Sequence, residues 1–210
     1  MLEMGKTQVL VSASYEPKVP RWLQGTGSGW VTAEYSMLPR ATAVRTPREV
    51  QSGRPSGRTQ EIQRLVGRSL RAVTVLEEMG ECTLWIDCDV IQADGGTRTA
   101  SITAGYLALA QALGRLEEAG SVPGGVLSDS VAAVSVGIVE EELLLDLNYE
   151  EDAKAEVDFN VVMTGSGSLV EVQGTAEGRA FSHDQLDAIV KLASDGIAQL
   201  TEFQRQTLAR

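Results

Sequence analysis

The chain has 210 residues, of which 43% are apolar, and its formal net charge is −11. That length predicts one domain spanning residues 1–210 with a substantial core, and no run of residues has the length and apolar character of a membrane helix. The two cysteines are too few for a disulfide framework and predict buried thiols in a reducing cytoplasm, while the single histidine nearly excludes a histidine-based triad and sites with several histidine ligands.

The first predicted element is a strand from Thr7 to Ser14. Residues 22–60 follow without a sustained hydrophobic period, and they are rich in glycine, proline, serine, threonine and arginine. Trp22 and Trp30 need burial, which distinguishes this stretch from a disordered linker. The stretch therefore predicts a functional segment or an interface arm rather than regular structure.

Positive charge is concentrated between residues 40 and 71, although the chain as a whole is acidic. Two glutamates in this window face eight arginines, which are Arg40, Arg45, Arg48, Arg54, Arg58, Arg64, Arg68 and Arg71. The overall charge argues against a nucleic-acid partner. The window argues for one, because arginine binds phosphates in bidentate fashion. Arginine–carboxylate pairs at a subunit interface are the alternative interpretation.

The next segments alternate between helix and strand. An apolar stripe predicts a helix from Thr59 to Met79, which Gly80 would end. Strict alternation predicts a strand from Thr83 to Val90, and a second helix is predicted from about Thr99 to Ala119.

The last third of the chain predicts a sheet and a final helix. The strands are expected at about Val131–Val139, Leu143–Leu147, Val157–Met163 and Leu169–Gln173. Ser182 and Gln185 form a capping-box pair at the start of the final helix, whose inward residues would include Phe203. The order of elements predicts an α+β fold in which helices pack on a mixed β-sheet.

The segment Gly95-Gly96-Thr97-Arg98-Thr99-Ala100-Ser101 combines features that bind anions. Glycines let the backbone approach a ligand closely, and the hydroxyls and the start of the following helix supply hydrogen-bond donors. Arg98 adds a full charge. We interpret the segment as a phosphate site, with a capped helix and an incidental arginine as the alternative.

Acidic residues are concentrated between Tyr149 and Asp158, at the junction of two predicted strands. Carboxylates near a bound phosphate would repel it unless they handle a proton or a cation. Asp152 and Asp158 are therefore candidates for catalysis or for a magnesium site, and a solvated acidic loop is the alternative. Arg58, expected where a loop enters a helix, is a further candidate for binding the anion.

Four stretches of the chain resemble the bacterial ribonuclease PH family. They are GWVTAEYSMLPRAT (29–42), GRTQEIQRLVGRSLRAV (57–73), WIDCDVIQADGGTRTASITAGYLALAQAL (85–113) and LLLDLNYEEDAKAEVDFNVVMTGSGSLVEVQGT (143–175). The resemblance extends from about residue 5 to residue 210. Wider kin include catalytic subunits of the archaeal exosome and polynucleotide phosphorylase.

The resemblance implies a ribonuclease PH-like βαβα fold, of the type also seen in the second domain of ribosomal protein S5. It implies a phosphate-dependent nucleotidyltransferase that trims the 3′ ends of tRNA precursors and other RNAs, reversibly, and releases nucleoside 5′-diphosphates. Inorganic phosphate is then the co-substrate and Mg²⁺ the expected metal. A non-catalytic RNA-binding ring subunit, an assembly-defective truncated form and a hydrolytic nuclease are the alternatives.

The resemblance also assigns roles residue by residue. Arg58, Gly96, Thr97 and Arg98 match the family's phosphate-binding positions, and Asp152 and Asp158 match its two aspartates. Asp152 is then the candidate for protonating the departing 3′ oxygen, with a pKa raised by the neighbouring Asp158, and Asp158 alternatively helps to hold Mg²⁺. RNA positioning or subunit contacts in a hexameric ring, a trimer of dimers, would fall to a set of arginines, namely Arg40, Arg45, Arg48, Arg64 and Arg68.

The chain departs from the family pattern at its beginning. Family members usually carry a further N-terminal segment with an Asp-Gly-Arg and an Arg-Pro motif, which supplies a strand beside the one starting at Thr7. The expectation is an exposed sheet edge at that strand.

Overall fold

The structure, a computed structural model, describes residues 1–178 and 180–209. Its first sheet has the strand order β1-β2-β4-β3. These strands are β1 (Leu2–Met4), β2 (Thr7–Glu16), β3 (Trp30–Met37) and β4 (Thr83–Gln92). β2 pairs antiparallel with β4, whereas β3 pairs parallel with it. A parallel pair needs a crossover, which helix α1 (Gly57–Arg71) provides.

β1 pairs with β2 only between Thr7 and Val9. Beyond Val9, no strand within the described part of the chain lies along the outer edge of β2. The sheet edge expected from the sequence is therefore open over most of its length.

The second sheet is antiparallel and has the order β6-β5-β7-β8. Its strands are β5 (Val131–Val139), β6 (Glu142–Leu145), β7 (Val157–Thr164) and β8 (Leu169–Ala176), and a short helix, α3 (Tyr149–Asp152), lies between β6 and β7.

Every residue of β5 is buried, because this strand is covered on both faces. Helix α2 (Thr97–Glu118) packs on one face, where Val131 and Ala133 join the core of the first sheet. Helix α4 (His183–Leu208) packs on the other, against Ala132 and Val134. The layers are thus sheet, helices, sheet, helix, and the predicted α+β class is confirmed.

Most of the elements predicted from residue 83 onward are confirmed within a few residues, including the capping box of Ser182 and Gln185. Two predictions earlier in the chain were wrong. The stretch 22–60 contains the strand β3, whose alternation between buried and more exposed residues covers only eight positions.

The first helix ends at Arg71 rather than Met79. After it the backbone turns to pair with a distant loop, through a bridge between Thr74 and Leu127 and a hydrogen bond from Val75 N to Val126 O. Tertiary packing therefore buries apolar side chains such as Val73 and Met79, and sequence periodicity cannot distinguish this burial from that of a longer helix.

Three smaller expectations have mixed outcomes. Cys82 and Cys88 are buried free thiols, as predicted. Trp22 is 63% exposed rather than buried, and its ring packs edge to face against Trp30 with the ring centroids 4.9 Å apart. Phe203, expected to point inward, is 47% exposed. Across residues 1–178 and 180–209, none of the helices is apolar over the length that crossing a bilayer requires.

Candidate active site

All six residues predicted from the sequence to bind phosphate or act as acids line one cavity of about 410 Å³; they are Arg58, Gly96, Thr97, Arg98, Asp152 and Asp158. The cavity lies where α1 and α2 begin and where α3 and β7 of the second half of the chain meet them. Residues about 100 positions apart in sequence, such as Arg58 and Asp158, are thereby brought to the same walls.

The turn before α2 has a backbone conformation that favours glycine at two successive positions. Gly95 and Gly96 have φ angles of 80° and 56°, in the left-handed region that other residues rarely adopt. A Cβ atom on Gly95 would also overlap the carbonyl oxygen of Leu147. Because Gly96 is the N-cap residue, no side chain caps α2. The N–H groups of its first turn therefore remain available to an anion in the cavity.

Arg58 reaches the same cavity from the first turn of α1, two residues after the N-cap. The Ser56 hydroxyl accepts a hydrogen bond from Thr59 N at 3.1 Å. The helix therefore begins before Arg58, whereas the sequence predicted a start after it. The N-terminus of α2, with its positive dipole end, thus faces one cavity together with two guanidinium groups, one of which comes from the first turn of α1. This arrangement favours a multiply charged anion.

Arg98 is held on two sides by residues that sequence reasoning did not identify. Its Nη1 donates a hydrogen bond of 3.1 Å to Oε1 of Gln173 in β8 and lies 3.5 Å from a carboxylate oxygen of Glu61 in α1. Its side chain is only 16% exposed. The guanidinium group is therefore fixed before any ligand binds. No local sequence motif identifies Gln173 or Glu61, because each of them contacts Arg98 from a different secondary-structure element.

The two aspartates lie in different environments. Asp152 ends α3, which the capping box of Asn148 and Glu151 stabilises, and its side chain is exposed. Asp158 sits within β7 and is partly buried. Burial raises the pKa of the Asp158 carboxyl and the nearby Asp152 carboxylate raises it further, while Arg98 and Arg58 oppose the shift. The cavity therefore contains one carboxyl that holds its proton more tightly than usual.

Within residues 1–178 and 180–209, no three His, Cys, Asp or Glu side chains are grouped so as to hold a metal ion by themselves. Two acidic residues, Asp152 and Asp158, line the cavity. Mg²⁺ commonly uses one or two carboxylates and takes its remaining ligands from water and substrate phosphates. The donor set thus fits a magnesium ion only when the substrate supplies oxygens as well.

The arginines expected to contact RNA or other subunits lie outside the cavity. Arg40, Arg45 and Arg48 are exposed in the segment after β3, and Arg40 also donates to the carbonyl oxygen of Ala43 at 2.9 Å. Arg64 and Arg68 line a neighbouring groove along α1. Arg68 forms an ion pair with Glu171 of β8, so at least part of its role lies within the chain.

Family models match both halves of the chain. Residues 1–113 match domain 1 of the 3′ exoribonuclease family, and residues 129–196 match domain 2. Arg58 and the glycine turn belong to the first match, and both aspartates belong to the second. The cavity is therefore built from both family domains.

Similar proteins cover nearly the whole chain. Ribonuclease PH of Moorella thermoacetica is 60% identical over 208 residues, which are 99% of this chain and 83% of that protein. Ribonuclease PH of Bacillus subtilis is 57% identical over 209 residues, 99% of this chain and 85% of that protein.

Solved structures share the fold at low sequence identity. Rice Rrp46 has a TM-score of 0.74 at 18% identity, covering 98% of this chain and 86% of its own. The Archaeoglobus fulgidus exosome with RNA bound to the active site has a TM-score of 0.75 at 20% identity, covering 95% of this chain and 80% of the matched one.

Proposed function

The chain belongs to the ribonuclease PH family of 3′ exoribonucleases, and from this premise we propose how its residues shorten RNA by phosphorolysis. The enzyme is a phosphate-dependent 3′–5′ exoribonuclease that processes tRNA, and inorganic phosphate is its co-substrate. The observation that supports the assignment of residues is the single cavity, which combines two arginines, an uncapped helix start and two acids.

Orthophosphate binds between Arg58, Arg98, the Thr97 hydroxyl and the N–H groups of the α2 start. Charge neutralisation by the guanidinium groups lets this anion approach the RNA backbone, which is itself anionic. A phosphate oxygen attacks the phosphorus of the last phosphodiester, and the bond from that phosphorus to the 3′ oxygen of the preceding nucleotide breaks. The products are a nucleoside 5′-diphosphate and an RNA one nucleotide shorter. One phosphoric ester bond is exchanged for a phosphoanhydride, so the reaction is reversible.

The departing 3′ oxygen needs a proton. The sequence-based interpretation gave this role to Asp152, with its neighbour Asp158 raising its pKa. The structure favours the reverse assignment, because it is the partly buried Asp158 whose pKa is raised. We therefore propose Asp158 as the proton donor, since burial and, to a smaller extent, the neighbouring Asp152 carboxylate raise the pKa of its carboxyl.

When magnesium is present, Asp152 and Asp158 would hold it together with oxygens of the substrate. The ion would supply charge neutralisation at the transferring phosphoryl group.

We further propose that the chain acts as one unit, residues 1–210, in a ring of like subunits in the cytoplasm. The exposed arginines Arg40, Arg45 and Arg48 would serve assembly and RNA positioning, together with Arg64 and Arg68 on α1. Light scattering tests this assignment: a hexamer gives about six times the monomer mass. A monomer or an aggregate would instead match the assembly-defective alternative.

The activity is tested by incubating a tRNA that carries extra 3′ nucleotides, with and without phosphate. Phosphorolysis releases nucleoside diphosphates only when phosphate is present. Release of nucleoside monophosphates without phosphate would identify a hydrolytic nuclease, and RNA binding without any release would identify a non-catalytic subunit.

A further inference from the structure

A buried tyrosine contacts the phosphate-binding turn directly. The hydroxyl oxygen of Tyr35 lies 2.8 Å from Oγ1 of Thr97, a hydrogen bond between residues 62 positions apart. Tyr35 is 4% exposed and Thr97 is 7% exposed. A buried pair of hydroxyls is well shielded from water. Which of the two hydroxyls donates therefore depends on the pair itself and on the ligand in the cavity.

The fold itself fixes this contact. Tyr35 lies on the buried face of β3, opposite Cys88 of β4 in the parallel register. The chain leaves β4 at Gln92 and enters the turn that opens α2 at Thr97. The end of β3 therefore runs alongside the turn. Arg58 and Met37 line both the phosphate cavity and the adjoining cavity that includes Tyr35.

Each hydroxyl has one proton to donate, and this determines the direction of the bond when phosphate is present. Phosphate oxygens without protons only accept hydrogen bonds. Thr97 can donate to such an oxygen only if it accepts from Tyr35. In the opposite orientation Thr97 would donate its proton to Tyr35, and a lone pair of the Thr97 oxygen would face the anion.

Tyr35 is suited to be the permanent donor. Burial raises the pKa of its phenol above the ordinary value, against lowering by Thr97, Arg58 and Arg98. The phenol accordingly stays protonated over the neutral range.

We infer that Tyr35 is a positioning residue for the co-substrate: its hydroxyl donates to Thr97 and so directs the Thr97 proton at the bound phosphate. This inference rests on the proposed function. It adds a residue of β3 to the phosphate site, which otherwise draws on α1, α2 and the glycine turn. Tyr35 itself need not touch the phosphate.

The first test is Tyr35→Phe, which removes one oxygen atom and keeps the ring. The KM for phosphate should rise roughly three- to tenfold, the range expected for one hydrogen bond. The kcat and the KM for RNA should stay at the wild-type values. The matched control is Tyr106→Phe, which removes the same atom from a buried tyrosine about two and a half turns further along α2, roughly 13 Å from Thr97. Its kinetic constants should match wild type.

A double-mutant cycle separates positioning from general loosening of the fold. In a Thr97→Val background, Tyr35→Phe should raise the phosphate KM no further, because the hydroxyl that it orients is gone. If Tyr35 only stabilises the fold, the effects of Tyr35→Phe and Thr97→Val on the phosphate KM should multiply instead, and the Tyr35→Phe protein should be less stable than wild type. Thr97→Ser retains the hydroxyl and should remain sensitive to Tyr35→Phe.

An unchanged phosphate KM in folded Tyr35→Phe overturns the inference, as do multiplying effects in the cycle or an equal rise in the KM for RNA. Absence of phosphate-dependent release by the wild-type protein is a different outcome. It would overturn the proposed function itself.

Discussion

Gln173 in β8 accepts a hydrogen bond of 3.1 Å from the guanidinium group of Arg98 in α2, and so connects the second sheet to the helix that carries the phosphate turn. Glu61 of α1 approaches the same guanidinium nitrogen at 3.5 Å. An unattached arginine side chain loses considerable rotamer entropy when it binds a ligand. In this protein that loss has already occurred on folding, so Arg98 is oriented before phosphate arrives.

Gln173→Ala should therefore weaken phosphate binding without removing a group that touches phosphate. We expect the phosphate KM to rise by about fivefold, the equivalent of one hydrogen bond of ~1 kcal/mol, while the KM for RNA changes little. Steady-state kinetics at varied phosphate would measure it. Gln199→Ala, an exposed substitution on α4, is the control. Identical phosphate constants in the two variants would show that Arg98 needs no support from β8.

Arg98→Ala should reduce phosphorolysis by ~10² or more, because it removes a charged contact to the transferring group in a largely enclosed site. Arg115→Ala lies near the other end of α2, where the side chain is exposed, and should be nearly neutral. The measurement is the initial rate of nucleoside diphosphate release. Near-normal activity of the Arg98 variant would contradict the site assignment.

Asp158→Asn should abolish most activity yet stabilise the fold at neutral pH. The folded-state pKa of Asp158 is raised, so its ionisation opposes folding. That cost is absent below the unfolded-state pKa and fully present above the folded-state pKa. The gain in Tm over wild type should thus appear at pH 7 and vanish as the pH falls below ~4.

Thermal unfolding at several pH values, with Asp187→Asn on the exposed face of α4 as the control, measures this dependence. A Tm difference that is the same at every pH would contradict the assigned cause. Equal activity of Asp158→Asn and wild type would remove Asp158 from the proposed chemistry.

Gln204 anchors α4 to the rest of the core. Its side chain is 1% exposed, and Nε2 donates at 3.0 Å to the carbonyl oxygens of both Thr103 in α2 and Val131 in β5. Gln204→Leu leaves both oxygens without this donor, so the free energy of unfolding should fall by about 1–3 kcal/mol. Chemical denaturation measures the change, and Gln206→Leu on the exposed face is the control. Equal stability of the two variants would show that the buried amide makes no net contribution to the free energy of unfolding.

The neighbouring residue shows why this anchor was not predicted. Apolar periodicity placed Phe203 inside, whereas Phe203 is half exposed and the polar Gln204 beside it is buried. Hydrophobic pattern identifies the face of a helix that tends to be buried. It does not identify the two carbonyl oxygens, one in α2 and one in β5, that make burial of an amide favourable at this position.

The sequence by itself determined the α+β class and most elements after residue 83, because helix starts, glycine turns and strand alternation are properties of neighbouring residues. Six of the residues that line the cavity were candidates through the resemblance to the family, since the local patterns alone left other interpretations open. Tertiary structure alone decided that β3 lies parallel to β4, that the first helix ends at Arg71, and that Gln173 and Tyr35 reach Arg98 and Thr97. The two side-chain contacts join residues 75 and 62 positions apart. Their hydrogen bonds exist only once the sheets have paired and the helices have packed between them, which no local pattern encodes.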